Sequence, residues 1–148
     1  MAGTTVLKQI KLAALRAGAG LGVSRLLLES AWRRQRLLIL CYHGVSIDDE
    51  HEWDSSLFMP AGLLRARFEA LRAHRCAILP FRDALQRLHE GRLPPRAVAI
   101  TFDDGTHDFL IRAMPVIREF DYPVTLYFAT QYSYFNRPIY DLAVSYLL

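Results

Sequence analysis

Four short apolar runs divide the chain, at residues 37–42, 77–79, 97–102 and 123–128. They are continuous rather than alternating, the pattern of strands covered on both faces. The strongest is Ala97-Val98-Ala99-Ile100-Thr101-Phe102, which stops abruptly at Asp103-Asp104-Gly105. Between the runs the spacing changes to a helical period. Pro60 opens a helix whose apolar side is Leu63, Leu64, Phe68 and Leu71, with Arg65, Arg67, Glu69 and Arg72 facing water. Residues 81–88 predict a short helix ended by Glu90-Gly91, and Pro94-Pro95 forces an extended link. Residues 108–120 predict a helix kinked at Pro115. An aromatic loop over 132–140 then leads to a last helix starting near Pro138 or Asp141. Three or four strands alternating with helices predict a parallel α/β architecture.

The N-terminal segment differs from the rest. Residues 5–16 and 22–35 read as two helical stretches split by Gly18, Gly20 and Gly22. Together, residues 1–36 form a basic helical leader, and residues 37–148 form the α/β part. Lys8, Lys11, Arg16, Arg25, Arg33, Arg34 and Arg36 face Glu29 alone, whereas Asp48, Asp49, Glu50, Glu52 and Asp54 follow with no basic residue among them. The net charge is only +3, so the asymmetry is local and does not point to a nucleic-acid partner. A basic amphipathic leader permits peripheral membrane contact, while a solvated helix covering the domain is the plainer expectation. The uncharged stretch 17–24 is far shorter than the roughly 20 residues a membrane span requires. Basic residues also interrupt every apolar core that a signal peptide would need. These features favour a cytoplasmic or membrane-peripheral location. Cys41 and Cys76 lie in or beside apolar runs, which predicts buried free thiols rather than a disulfide framework.

The candidate chemistry sits at Asp103-Asp104-Gly105. Ligands of parallel α/β folds bind at the carboxyl ends of strands, and two adjacent carboxylates there must be solvated, paired or metal-bound. Gly105 allows a sharp turn, so neighbouring side chains can converge. One carboxylate suits a hard or borderline cation, and the other suits a proton from water. A plain Asp-Gly turn with a helix cap behind it satisfies the same residues without chemistry.

Thr101-Phe102-Asp103-Asp104-Gly105, placed after an apolar strand, resembles the first motif of the polysaccharide deacetylases with NodB-type homology (carbohydrate esterase family four). Cys41-Tyr42-His43-Gly44-Val45 resembles the end of that family's opening strand, and residues 123–128 stand where its second barrel strand is expected. The resemblance covers roughly residues 37–135. It implies a partial (β/α) barrel of the deacetylase type, a distorted seven-stranded barrel when complete. It also implies hydrolysis of N-acetyl groups on the amino sugars of a polysaccharide or oligosaccharide. Asp103 is then the catalytic base and Asp104 a ligand of a divalent metal, usually zinc. The family's two further ligands are histidines four residues apart. His43, His51, His74, His89 and His107 contain no such pair. The family's later arginine motif and its histidine general acid also have no counterpart in the pattern, because Arg137-Pro138-Ile139-Tyr140 comes too early and reads as a loop entering a helix. The apolar, uncapped ending at 143–148 fits an N-terminal part of the domain, truncated at its C-terminus and inactive alone.

His43 and His107 are the histidines placed to line a site around Asp103, although hydrogen bonding in a turn for His43 and a first helical turn for His107 are the plainer expectations. His51, His74 and His89 read as surface residues. Tyr127 and Phe128 are expected in the core, and Tyr132, Tyr134 and Phe135 in loop packing, with sugar stacking as the alternative. Two other functions remain open. One is an inactive carbohydrate-binding or scaffolding remnant. The other is a haloacid-dehalogenase-type phosphatase, whose motif requires an aspartate at 102, where Phe stands.

Overall fold

The computed structural model describes residues 35–135 and 137–147, together with residues 11, 13, 17, 18 and 30. The two leader helices expected over 5–16 and 22–35, of which only residues 11, 13, 30 and 35 are described, and the membrane contact they would make, therefore lie largely outside the described residues. Among the described residues no helix is long and apolar enough to cross a membrane.

The elements follow in the order β1 (Leu38–Tyr42), β2 (Gly44–Val45), α1 (Glu50–Trp53), β3 (Phe58–Met59), α2 (Ala61–Ala73), β4 (Ala77–Ile78), α3 (Phe81–His89) and β5 (Ala97–Phe102). A π-helical turn (Phe109–Ala113) then runs into α4 (Met114–Phe120), followed by β6 (Val124–Leu126), α5 (Thr130–Phe135) and α6 (Tyr140–Leu147). All four strands of the main sheet are parallel and organised around β5. β1 pairs along one of its edges, from Leu38 opposite Val98 to Tyr42 opposite Phe102. The other edge is shared: β4 takes Ala97 and Val98, and β6 takes Ile100 to Phe102. This is a mixed α/β sheet with parallel strands, as the alternation predicts.

The two faces of β5 differ because successive side chains point to opposite sides. Val98, Ile100 and Phe102 join Leu64 and Phe68 of α2 and Val116 and Ile117 of α4 in one buried cluster. Phe68 meets Phe120 and Tyr122 in ring contacts of 5.6 and 5.2 Å. On the opposite face stand the small residues Ala97, Ala99 and Thr101, all buried. Gly91, at φ +66°, turns the chain out of α3 as its sequence position predicts.

Several expectations need correction. β1 is not covered on both faces: Leu38 and Ile39 are 42% and 45% exposed, because only one edge of the strand is paired among the described residues. Leu63 is exposed, since α2 presents Ala61, Leu64, Phe68 and Leu71 to the core. The helix over 108–120 is not simply kinked at Pro115. The missing N–H is absorbed by a π-turn immediately before it, in which Met114 N–H donates to Phe109 O. Residues 130–135 form α5 rather than loop. The acidic stretch contains α1, followed by a turn in which the Asp54 carboxylate accepts from Ser56 Oγ at 2.6 Å and from the amides of Ser56 and Leu57 at 3.2 Å. His51 is half-buried, with its ring 3.0 Å from Ser46 Oγ. No disulfide joins the two cysteines; Cys41 is exposed, and Cys76 is half-buried beside the core.

Candidate functional site

Strand register builds the site. Cys41 of β1 lies opposite Thr101 of β5. The two-residue period then carries His43 and Asp103 onto the same face, away from the helix-packed core. Tyr42 and Phe102 occupy the other face, their rings 5.3 Å apart. The ladder extends one step past both strands, with Asp103 N–H donating to Tyr42 O at 2.9 Å.

Beyond β5 the backbone reverses within three residues. Gly105 N–H donates to Asp103 O at 2.8 Å, with Asp104 at φ +68° and Gly105 at φ +66°. Aspartate tolerates the left-handed region better than most residues, and glycine enters it freely. A Cβ on Gly105 would also run into the Phe128 ring. Ala129 N–H reaches Asp104 O at 3.1 Å, fixing the β6 exit against the turn. The result is an open depression of ≈ 470 Å³ lined by Asp103, Asp104, Tyr127, Phe128 and Ala129.

The Asp103 carboxylate gathers two partners. Cys41 Sγ donates to Asp103 Oδ2 at 3.2 Å, and His43 Nε2 lies 3.7 Å from the same oxygen. His43 and Asp103 are each about a third exposed, at 39% and 33% of the side chain, so both are reachable from water. The Cys41 thiol is held above its ordinary range. Partial removal from water contributes most, and the Asp103 hydrogen bond and the charges of both aspartates add to it, while a hydrogen bond with Thr101 works the other way.

Of the residues singled out in the sequence, the structure brings Asp103 and His43 together and leaves Asp104 exposed on the turn beside them. His107 is exposed two residues beyond Gly105, and among the described residues no hydrogen bond or ion pair joins it to either aspartate. Tyr127 and Phe128 are not in the core. They are 48% and 53% exposed, because β6 ends at Leu126 and both fall on the rim of the depression. Tyr134 and Phe135 are likewise exposed.

Sequence reasoning missed two residues. Asp108 is buried, and its Oδ2 accepts from Val45 N–H at 2.7 Å. That bond ties the segment carrying His43 to the start of the helix behind the motif. A third carboxylate at the head of the apolar stretch after 108 was the signal available. Cys41 was the other, read as a buried thiol because its neighbours are apolar.

The donor chemistry does not fit the whole metal site that the family resemblance implies. Asp104 is present, but no pair of histidines four residues apart exists in the chain. The group of potential ligands that the described residues assemble centres on Asp103, with Cys41 and His43, not on Asp104.

The fold and the turn have counterparts. The polysaccharide deacetylase family profile matches residues 90–141, which contain the whole Asp103–Asp104 turn. Over 103 residues the chain is 31% identical to poly-β-1,6-N-acetyl-D-glucosamine N-deacetylase of Escherichia coli strains K12 and O157:H7. The match takes in 66% of this chain and 14% of the length of those relatives. A solved structure of IcaB from Ammonifex degensii superposes with a TM-score of 0.51 at 25% identity, covering 61% of this chain and 36% of that one. Streptococcus pyogenes deacetylase PplD in complex with acetate shares the fold, with a TM-score of 0.54 at 24% identity over 61% of this chain and 41% of that one. By these matches the chain is similar to polysaccharide deacetylases of the NodB type. A complete barrel is not present among the described residues, which form four strands of the main sheet.

Proposed function

We propose that residues 37–148 supply the base, one metal ligand and a proton-carrying histidine to an enzyme that removes N-acetyl groups from the amino sugars of a polysaccharide. The observation that carries this reading is the Asp103-Asp104-Gly105 turn at the carboxyl end of β5, with His43 Nε2 3.7 Å from Asp103 Oδ2. In deacetylation, water adds to the amide carbonyl, the C–N bond breaks, and acetate and a free amine leave. Asp103 is exposed enough to meet that water and take its proton. His43, beside it at the strand end, is placed to hand a proton to the departing amine. Asp104 would offer one carboxylate to a divalent cation, zinc by family resemblance. One carboxylate falls short of the usual three protein ligands, so Asp104 by itself does not make a competent catalytic metal site.

An N-acetylated glucosamine polymer is the favoured substrate, because the curated relatives act on poly-β-1,6-N-acetyl-D-glucosamine. A second reading, sugar binding without turnover, draws on Tyr127 and Phe128, whose half-exposed rings flank the carboxylates. The phosphatase alternative has no support, since position 102 is a fully buried phenylalanine.

The test is acetate release from N-acetylglucosamine oligomers. The 148-residue chain is expected to show no more turnover than its Asp104→Asn variant. Residues 37–135 grafted in place of the matching segment of the E. coli enzyme are expected to turn over, with Asp103→Asn lowering kcat by about 10²–10⁴-fold. A folded graft that keeps its full rate with Asn at 103 overturns the assignment. A graft that binds oligomers without releasing acetate favours the binding reading.

A further inference from the structure

The sequence pattern assigned Cys41 to the core, and the proposed deacetylation gives it no task. It nevertheless stands exposed, with its sulfur on the carboxylate of Asp103 and the His43 imidazole alongside. One ligand atom from each of the three residues lies within 4.8 Å of the other two. Thiolate, imidazole and carboxylate form the donor set of a thiophilic, borderline-to-soft divalent cation.

The spacing is compatible with one ion. Tetrahedral zinc, with ligands at about 2.0–2.3 Å, places neighbouring donor atoms about 3.3–3.6 Å apart. The sulfur–oxygen and nitrogen–oxygen separations here are 3.2 and 3.7 Å, so small side-chain rotations bring the donors onto one centre. The backbone holds them in register: Cys41 lies on β1, His43 follows its last residue, and Asp103 follows the residue paired with Tyr42. Cys41 is exposed and the His43 and Asp103 side chains are about a third exposed, which leaves a fourth position for solvent.

We propose that Cys41, His43 and Asp103 form a binding site for a single Zn²⁺- or Cd²⁺-class cation, separate from the position that Asp104 would serve. Binding replaces the thiol proton with a sulfur–metal bond and releases that proton to solvent. It also occupies the carboxylate oxygen that the proposed base needs. A cation held here and proton abstraction by Asp103 are therefore mutually exclusive, and the site would act as an inhibitory one. The binding itself does not depend on the deacetylase reading.

The experiment is Cd²⁺ titration of the 148-residue chain, reading the ultraviolet thiolate-to-cadmium charge-transfer band. One equivalent is expected to saturate the band. Cys41→Ser should abolish it, and Cys76→Ser and Asp104→Asn should leave it intact. His43→Ala and Asp103→Asn should each weaken affinity about tenfold or more, at least the loss seen when only a supporting outer-shell residue is removed. The unmodified chain provides a second readout that needs no variant: Zn²⁺ should protect Cys41, but not Cys76, from alkylation followed by mass spectrometry. The proposal fails if the band survives Cys41→Ser, if neither His43→Ala nor Asp103→Asn weakens it, or if Zn²⁺ leaves Cys41 alkylation unchanged. None of those results bears on acetate release by the graft, so the two readings stand or fall separately.

Discussion

β5 and β1 are both short, continuous, apolar strands that lie side by side, yet they do opposite things. Every residue of β5 is buried, and both of its edges are paired. β1 is paired on one edge, and four of its five residues are at least partly exposed. The difference is one of neighbours. β5 has β1 on one side, β4 and β6 in succession on the other, and two helices against its bulky face. Among the described residues β1 has β5 alone beside it in the sheet, and a depression of ≈ 510 Å³ runs along Ile39 to Tyr42. The candidate site takes Asp103 from just past the end of the rigid strand, Cys41 from the exposed strand and His43 from just past its end. A carboxylate is thereby fixed in place while its partners stay open to solvent and to ions.

The largest expected break in this comparison is Phe102→Ala set against Ile39→Ala. Phe102 is fully buried and holds rings 5.3 and 5.0 Å away on Tyr42 and Phe109, so its truncation should cost about 3–5 kcal/mol in denaturant unfolding. Ile39, on the open strand, should cost under about 1 kcal/mol. Equal losses would mean that β1 is as enclosed as β5.

A second test separates the anchors of the two strands. Asp108→Ala removes the buried acceptor of Val45 N–H and should cost about 1–3 kcal/mol. Hydrogen exchange should quicken at Val45 and its neighbours while the β5 amides stay protected. Uniform loss of protection would show that the two regions open together.

Gly105→Ala should also cost about 1–3 kcal/mol, because a side chain at φ +66° is strained. The added methyl must also displace the Phe128 ring. The loss should show at the β5–β6 junction, as changed fluorescence or exchange at Tyr127 and Ala129, and not along β1. An unchanged melting midpoint would refute the turn geometry.

The smallest effect lies in the loop that carries the β2–β3 pair. The Asp54 carboxyl sits below its ordinary value of 3.8, chiefly because it accepts from Ser56 Oγ, with two backbone amides adding to the effect. A lowered folded-state value means that the carboxylate contributes stability above 3.8, which is lost as the pH falls through the folded value. Ser56→Ala should shrink that acid-induced loss slightly, without altering stability at neutral pH beyond the lost hydrogen bond. An identical acid profile in the variant would remove Asp54 from the account.

The core strand, the α2 face and the motif turn were legible because each rests on local chemistry. Five of the six residues from 97 to 102 are apolar and the run stops at a charged turn, Leu64 and Phe68 share a helical face, and Asp-Gly can enter the left-handed region. Other features depend on distant partners. Tyr127 and Phe128 look like core residues in sequence and are exposed because β6 stops at Leu126. The π-turn before Pro115 and the short helix inside the acidic loop are equally outcomes of packing. Asp108 could not be separated from an ordinary helix-start residue until Val45, 63 positions away, came within 2.7 Å.

The sequence by itself determined the parallel α/β class, the buried central strand and the pair of aspartates at its end, because side-chain period and turn propensity are local properties. It also showed that no histidine pair accompanies Asp104, a matter of counting. Only the tertiary structure decided which residues meet Asp103. Parallel register, set by hydrogen bonds between strands about 60 residues apart, brings Cys41 and His43 to that carboxylate and leaves Asp104 and His107 facing solvent.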